Sequence, residues 1–199
     1  MIAWLQGILR EKYPPTLVLD VHGVGYELEA PITTFSALPV LGEQVSLYIH
    51  QLIREDSHRL YGFSRRPERD IFRLLLRVNG VGAKMALAIL SGMDATAFSR
   101  CVQEGDTASL ERLPGIGKKT AQRLIMEMGH RLASVSIPEG EVVGKGNVLP
   151  SQTPEAEAIS ALVALGFKPQ DATRRIRVLD CQGLACEEIV RRALQAIGR

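Results

Sequence analysis

The chain has 199 residues, with 24 basic and 22 acidic side chains and a formal net charge of +2. Hydrophobic residues at 46% and charged residues at 23% are ordinary for a globular chain, while aromatics at 5% are too few for wide base-stacking platforms. No run of about 18 apolar residues is present, which excludes a helical membrane span, and the opening MIAWLQGILREKYPP lacks the basic start and small-residue cleavage site of a secretory signal. Cys101, Cys181 and Cys186 are odd in number and form no CxxC, so reduced thiols in a cytosolic protein are expected, not a disulfide framework or a zinc site.

The N-terminal part reads as strands. Leu17–Val21 is one, His22–Gly25 a turn or bulge, and Tyr26–Glu29 the next. Val45–Ile49 is another, and Arg54-Glu55-Asp56-Ser57 forms a hairpin tip that returns through Arg59–Phe63. About five short strands within residues 1–64 fit a small closed barrel better than a sandwich.

From Pro67 the period changes: Ile71, Leu74, Leu75 and Val78 recur at helical spacing, and Asp94 and Asp106 are candidate N-caps. Residues 134–154 are rich in Gly, Pro, Ser and Val and lack an amphipathic period, so a flexible tether is expected over 138–153. Thr153 then precedes Pro154 as an N-cap before a proline at the first helical position. Three helices are expected in 154–199, near 154–165, 169–178 and 184–197, with Leu162, Leu165, Ile176, Ile189 and Leu194 in their core.

Charge is partitioned along the chain. Residues 1–64 hold 4 basic and 7 acidic side chains, net −3, whereas residues 65–137 hold 12 and 7, net +5. Such a division suits a polyanion met by one segment and avoided by another.

The most informative feature is an internal repeat. Arg77-Val78-Asn79-Gly80-Val81-Gly82-Ala83-Lys84-Met85-Ala86 aligns with Arg112-Leu113-Pro114-Gly115-Ile116-Gly117-Lys118-Lys119-Thr120-Ala121 at a constant offset of 35 residues. Both copies read apolar-x-Gly-apolar-Gly-x-Lys-x-Ala between helical runs, the helix-hairpin-helix pattern of DNA-binding proteins. Two glycines allow a sharp turn and close phosphate approach. The following helix opens with unpaired N–H groups that attract an anion. Lys84 and Lys119 add charge, and Ala86 and Ala121 allow close packing. Nothing here reads base edges, so binding should follow backbone geometry, not sequence. Two such motifs about a pseudo-twofold axis would grip both strands across a minor groove.

Other chemistries fail on the residues. A Walker loop needs G-x-x-x-x-G-K-[ST], but Gly117-Lys118 is followed by Lys119 and Arg112 stands where the first glycine belongs. Gly144-Lys145 is followed by Gly146, and Gly23-x-Gly25 opens no helix. His22, His50, His58 and His130 have no metal-ligand spacing. Neither a metal nor another cofactor is expected. The enzymatic alternative, a helix-hairpin-helix base-excision glycosylase, needs an Asp some 20 residues past the hairpin, yet none occurs from Ala121 to Gln170. A single-strand-binding barrel would need a basic groove, against the net −3 of residues 1–64.

Nearly the whole chain resembles the RuvA family, the Holliday-junction-binding subunits of the bacterial branch migration complex. The resemblance rests on Gly23–Glu27, Arg54–Asp56, Leu60–Phe63, Asn79–Lys84, Ala88–Met93, Leu113–Ala121 and Ala161–Phe167. It implies an α+β multidomain fold: an OB-fold β-barrel (1–64), a tandem helix-hairpin-helix domain (65–137), a linker (138–153) and a three-helix, UBA-like domain (154–199) that contacts the RuvB hexameric ATPase. It implies a fourfold homotetramer, or a face-to-face octamer, holding an open square-planar four-way junction. It further implies cytoplasmic roles in recombination, DNA repair and the SOS response, with RuvC resolvase as a further partner.

The implied DNA-binding residues are Gly80, Val81, Gly82, Ala83, Lys84, Gly115, Ile116, Gly117, Lys118, Lys119 and Arg123, with no catalytic residue. Glu55 and Asp56 fall at the family's acidic pin, although by themselves they read as a solvated turn. Fourfold symmetry would gather eight such carboxylates where strands exchange. Leu165, Gly166, Phe167 and Ile189 are the implied partner-binding residues.

Overall fold

The computed structural model of the protein describes residues 1–132, 153–179, 181 and 184–195. The chain divides into two compact units, Met1–Gly144 and Lys145–Arg199. Of the tether expected at 138–153, residues 138–152 lie outside the described residues.

In the first unit, β1 (Trp4–Tyr13), β2 (Thr16–Val21), β3 (Val24–Glu29), β4 (Gln44–Ile53) and β5 (His58–Phe63) close into a barrel in the order β1-β2-β3-β5-β4. β3 meets β5 in parallel through the single pair Glu29↔Tyr61; the other ladders are antiparallel. A short helix, α1 (Ile32–Ala37), lies between β3 and β4. This is an OB-like barrel. Alternating side chains fill it, Leu5 and Leu9 from β1, Leu17 and Leu19 from β2, Leu28 from β3, and Leu47 and Ile49 from β4. Phe35 and Leu38 join this core from α1 and its end.

β1 and α1 are the elements that strand periodicity does not reveal. In β1 an inward Gly7 replaces an apolar side chain, because a Cβ there would collide with the Asp20 carbonyl. A bulge between Leu9 and Glu11 then breaks the alternation. The expected turn narrows to His22-Gly23, both at positive φ, and Val24 and Gly25 belong to β3.

After Phe63 the described residues are helical, in α2 (Arg66–Leu75), α3 (Ala83–Gly92), α4 (Ala95–Glu104), α5 (Thr107–Glu111) and α6 (Lys118–Leu132). Asp94 and Asp106 cap α4 and α5, accepting from the N–H of Ala97 at 2.7 Å and of Ser109 at 3.0 Å. α2 stops at Leu75, so Val78 is a buried turn residue and not part of that helix.

Barrel and helices share one core. Phe72 of α2 lies with its ring centroid 4.9 Å from Tyr61 and 5.0 Å from Phe63, both on β5. Full burial of one such ring contributes about 2–3 kcal/mol. The texture change expected between 64 and 65 is therefore a switch of secondary structure inside a single packed unit.

His50 sits in this seam, 5.6 Å from the Phe72 ring, with Nδ1 accepting from Arg73 Nε at 3.4 Å and Nε2 buried. Burial, then the charges of Arg73 and Arg69, pull its pKa below the ordinary 6.5. The unfolded chain takes up this proton near pH 6.5, and the folded chain only at lower pH. Stability present above pH 6.5 is thus lost as pH falls through the folded value. Buried Glu68, whose pKa is raised by burial, acts with the opposite sign. Thermal unfolding of a His50→Gln chain should lose less on acidification from pH 7 to 5 than the parent; equal losses would remove His50 from the acid response.

In the second unit α7 (Pro154–Ala164), α8 (Pro169–Arg177) and α9 (Cys186–Gln195) enclose Ala158, Leu162, Ala172, Ile176, Ile189 and Ala193. Thr153 occupies the N-cap of α7, but its side chain makes no capping hydrogen bond; Pro154 follows at the first turn as expected. Leu165 and Leu194, expected in the core, are 61% and 38% exposed. Alanines occupy the close positions instead: Ala158, Ala172 and Ala193 let these short helices approach without large side chains. Among the described residues no single helix is long and apolar enough to cross a membrane.

Candidate nucleic-acid interface

The two repeats fold into turns with matching hydrogen bonds and glycine φ. Val81 N–H donates to Val78 O at 3.1 Å, and Ile116 N–H to Leu113 O at 3.2 Å. Gly80 and Gly115 each have φ +82°, a left-handed conformation that a side chain disfavours. Gly82 and Gly117 are glycine for another reason. Neither has a left-handed φ, and a Cβ on either would meet nothing within 4 Å. Their missing side chains leave the outer surface of each turn clear for an approaching group.

The helices behind the turns start in register. Ala86 N–H donates to Gly82 O and Ala121 N–H to Gly117 O, both at 3.0 Å. The amides of Ala83, Lys84 and Met85, and of Lys118, Lys119 and Thr120, precede these first intrahelical bonds. No side chain caps α3 at Gly82. Each turn therefore ends on a helix N-terminus with outward donors and partial positive charge.

Other expected residues divide by role. Lys84, Lys118 and Lys119 are exposed beside these amides. Val81 and Ile116 are buried and their N–H groups are spent in the turns, so they anchor the hairpins and present no donor outward. Arg123, on α6 behind the second turn, reaches the first: its Nη1 donates to Asn79 O at 3.0 Å and lies 3.5 Å from where a Cβ of Gly80 would stand. The counterpart of Arg123 in the first repeat is Ala88, which brings no guanidinium to the second turn.

Ion pairing separates structural cations from available ones. Arg66, Arg69 and Arg73 converge on Asp70, at 3.6, 2.9 and 3.8 Å. Arg69 also lies over the Tyr48 ring and donates to Ala3 O at 3.4 Å, tying α2 to the barrel. Lys84, Lys118 and Lys119 form no ion pair among the described residues. Neither do Arg77 and Arg112, which are exposed at matching positions three residues before Gly80 and Gly115. Sequence reasoning aligned this arginine pair without selecting it; its repetition at the 35-residue offset was the available signal.

The Arg54–Ser57 loop joins β4 to β5, closed by Arg54 N–H donating to Ser57 O at 2.8 Å. Glu55 and Asp56 are exposed, and Ser57 Oγ donates to Asp56 Oδ1 at 3.3 Å. No group of three or more His, Cys, Asp or Glu among the described residues could hold a metal ion.

In the second unit Gly166, at φ +99°, ends α7, and Phe167 N–H donates to Leu162 O at 3.1 Å. The Arg175 guanidinium lies 5.5 Å from the Phe167 ring centroid. Leu165 and Gly166 are exposed, whereas Ile189 is fully buried and offers no surface here.

Three family models match the chain: the RuvA N-terminal domain over residues 1–62, the SAM-like helix-hairpin-helix tandem over 72–129, and the RuvA C-terminal domain over 153–198. A protein of Nitrosococcus oceani named Holliday junction branch migration complex subunit RuvA is 57% identical over 98% of this chain and 98% of its own. Proteins of the same name from Thioalkalivibrio sulfidiphilus and Pseudomonas putida are 53% and 49% identical, over 98% and 99% of this chain and 98% of each relative. With barrel, paired hairpins and C-terminal helices matched in order along its length, the chain belongs to the RuvA family.

Proposed function

We propose that this chain binds four-way DNA junctions by shape and charge, independently of sequence, as the DNA-holding subunit of a branch migration complex. The observation that carries this reading is two matched hairpin turns, each leading into a helix N-terminus beside exposed lysines, in one packed unit with an exposed acidic loop. Duplex arms meet the hairpins through phosphates, at Gly80–Lys84 and Gly115–Lys119 with Arg123, and Arg77 and Arg112 extend each contact on the near side. Four chains arranged fourfold present eight hairpins to four arms and hold the junction open and square-planar. Residues 1–64 and 65–137 then serve as tip-bearing barrel and DNA grip, 138–153 as tether, and 154–199 as the unit that engages RuvB through the surface around Leu165–Phe167. The chain itself is non-catalytic, ATP hydrolysis resides in RuvB, and the complex acts in the cytoplasm, where RuvC can meet the same junction.

Gel-shift comparison of a four-way junction, an equal-length duplex and a single strand, with mass measured on the complex, tests this directly. Equal affinity for junction and duplex at physiological salt would remove the reading.

Glu55 and Asp56 supply the selective element. Carboxylates repel phosphate by about 1 kcal/mol per pair at 4 Å in water, and screening confines this to about 8–10 Å. Eight of them shape the junction centre and leave the arms untouched. Glu55→Gln with Asp56→Asn should tighten duplex binding several-fold at low salt and narrow the junction-to-duplex ratio, with Glu55→Asp milder than Glu55→Gln. Unchanged duplex affinity in the double variant would reduce the loop to a solvated turn.

A further inference from the structure

The barrel bears the acidic loop and the helices bear the anion sites, so selectivity requires the two to be held in register. Arg69, Arg73 and Phe72 join the barrel to α2, and a side-chain clasp joins it to α3, the helix behind the first hairpin. Thr33 Oγ1 of α1 donates to Leu90 O at 3.0 Å, and Ile32 N–H donates to Ser91 Oγ at 3.0 Å. Ser91 Oγ passes its own hydrogen to Leu87 O at 2.7 Å, so its one donor is committed while it accepts from Ile32. The neighbouring Thr34 is buried and faces the other way: its Oγ1 accepts from Ser64 N–H at 3.3 Å, just beyond β5. Ser64 Oγ in turn donates to Glu68 Oε2 of α2 at 3.2 Å.

These bonds lie on a continuous line from loop to anion site. β5 starts one residue after the Arg54–Ser57 loop and runs about 20 Å at a strand's rise. Ser64, Thr34, Thr33 and Leu90 carry the line across α1 to the C-terminal end of α3. α3 spans about 15 Å and ends, at its other terminus, on Gly82 and the first anion site. The same C-terminal end meets the second repeat, since a Cβ on Gly92 would overlap the Leu113 side chain two residues before Gly115. α3 thus carries the clasp at one end and the first hairpin at the other, with Leu113 of the second repeat against the clasped end.

We propose that the Thr33–Ser91 clasp registers the acidic loop against the hairpins and so sets preference for a four-way junction over duplex, without touching DNA. Thr33 and Ser91 are positioning residues. This rests on the junction-binding reading above and names the side chains that tune it.

The test uses the full chain, with a synthetic four-way junction and an equal-length duplex as probes. Thr33→Val and Ser91→Ala should each lower the junction-to-duplex affinity ratio about three- to tenfold, the range one lost hydrogen bond commands. Duplex affinity and its salt slope should stay within about twofold, because no anion-site residue changes. Thr33→Ser and Ser91→Thr, which keep the hydroxyls, should restore the ratio. An unchanged ratio in both variants would overturn the proposal. So would junction and duplex affinities falling together in step with melting temperature, because the clasp would then be a stability element only. The parent and the Glu55→Gln, Asp56→Asn chain run beside them. A parent without junction preference would sink both readings; a selective parent, relaxed by the loop variant yet unmoved by the clasp variants, would sink this one alone.

Discussion

Replacing Lys84 and Lys119 together by Ala should collapse junction binding at physiological salt while leaving the fold intact. Both ammonium groups are exposed and form no ion pair among the described residues, so their loss removes no internal contact. Each stands beside unpaired amides at a helix start, where a phosphate would displace counterions. The log–log salt slope changes by about 0.9 for each phosphate neutralised, so four chains losing two contacts apiece should flatten it by about seven units. The single variants should each remove about half of that. Arg66→Gln is the comparison: it removes a charge on α2, outside both hairpins and 3.6 Å from Asp70, and the slope should move less than in either lysine variant. Titrations across a salt series check this. A slope unchanged in the double variant, with unaltered thermal unfolding, would show that phosphate is held elsewhere.

Ending the chain at residue 137 should separate two activities completely. Both hairpins and the acidic loop lie within Met1–Gly144, whose core clusters are built from described residues of that unit. Junction affinity and its salt slope should therefore persist. Stimulation of RuvB and branch migration should vanish, because α7–α9 close around a core of their own and form the unit proposed to meet the motor. Supplying residues 145–199 as a separate chain should restore stimulation weakly, and only towards millimolar concentration, since a tether supplies an effective concentration of that order. Migration driven at full rate by the truncated chain would show that the motor contact lies in the first unit.

The central element of the site was legible because the hairpin signal is local. A turn that needs left-handed φ at Gly80 and Gly115, bare backbone at Gly82 and Gly117, and a lysine in the first helical turn all fall within ten residues, and the copy at an offset of 35 repeats them. The loop at Arg54–Ser57 and the caps at Asp94 and Asp106 were legible for the same reason, since each is decided by neighbours within four residues.

Tertiary structure alone decided what depends on residues distant in the chain. β1 is a strand despite its broken alternation because Gly7 must pass the Asp20 carbonyl. Leu165 and Leu194 lie outward and Ile189 inward because three short helices pack through alanines, a choice that hydrophobicity does not record. The basic excess of residues 65–137 points to a polyanion met somewhere on this segment, yet Arg66, Arg69 and Arg73 gather around the single carboxylate of Asp70, whereas Arg77 and Arg112 are exposed and form no ion pair among the described residues. Arg123 reaches across to Asn79, 44 residues earlier, and Thr33 bonds Leu90, 57 residues later. Backbone sterics and helix-end chemistry act within a few residues and are written in the sequence; which cation is neutralised and which hydroxyl bridges barrel to helix are settled only when the core brings distant segments together.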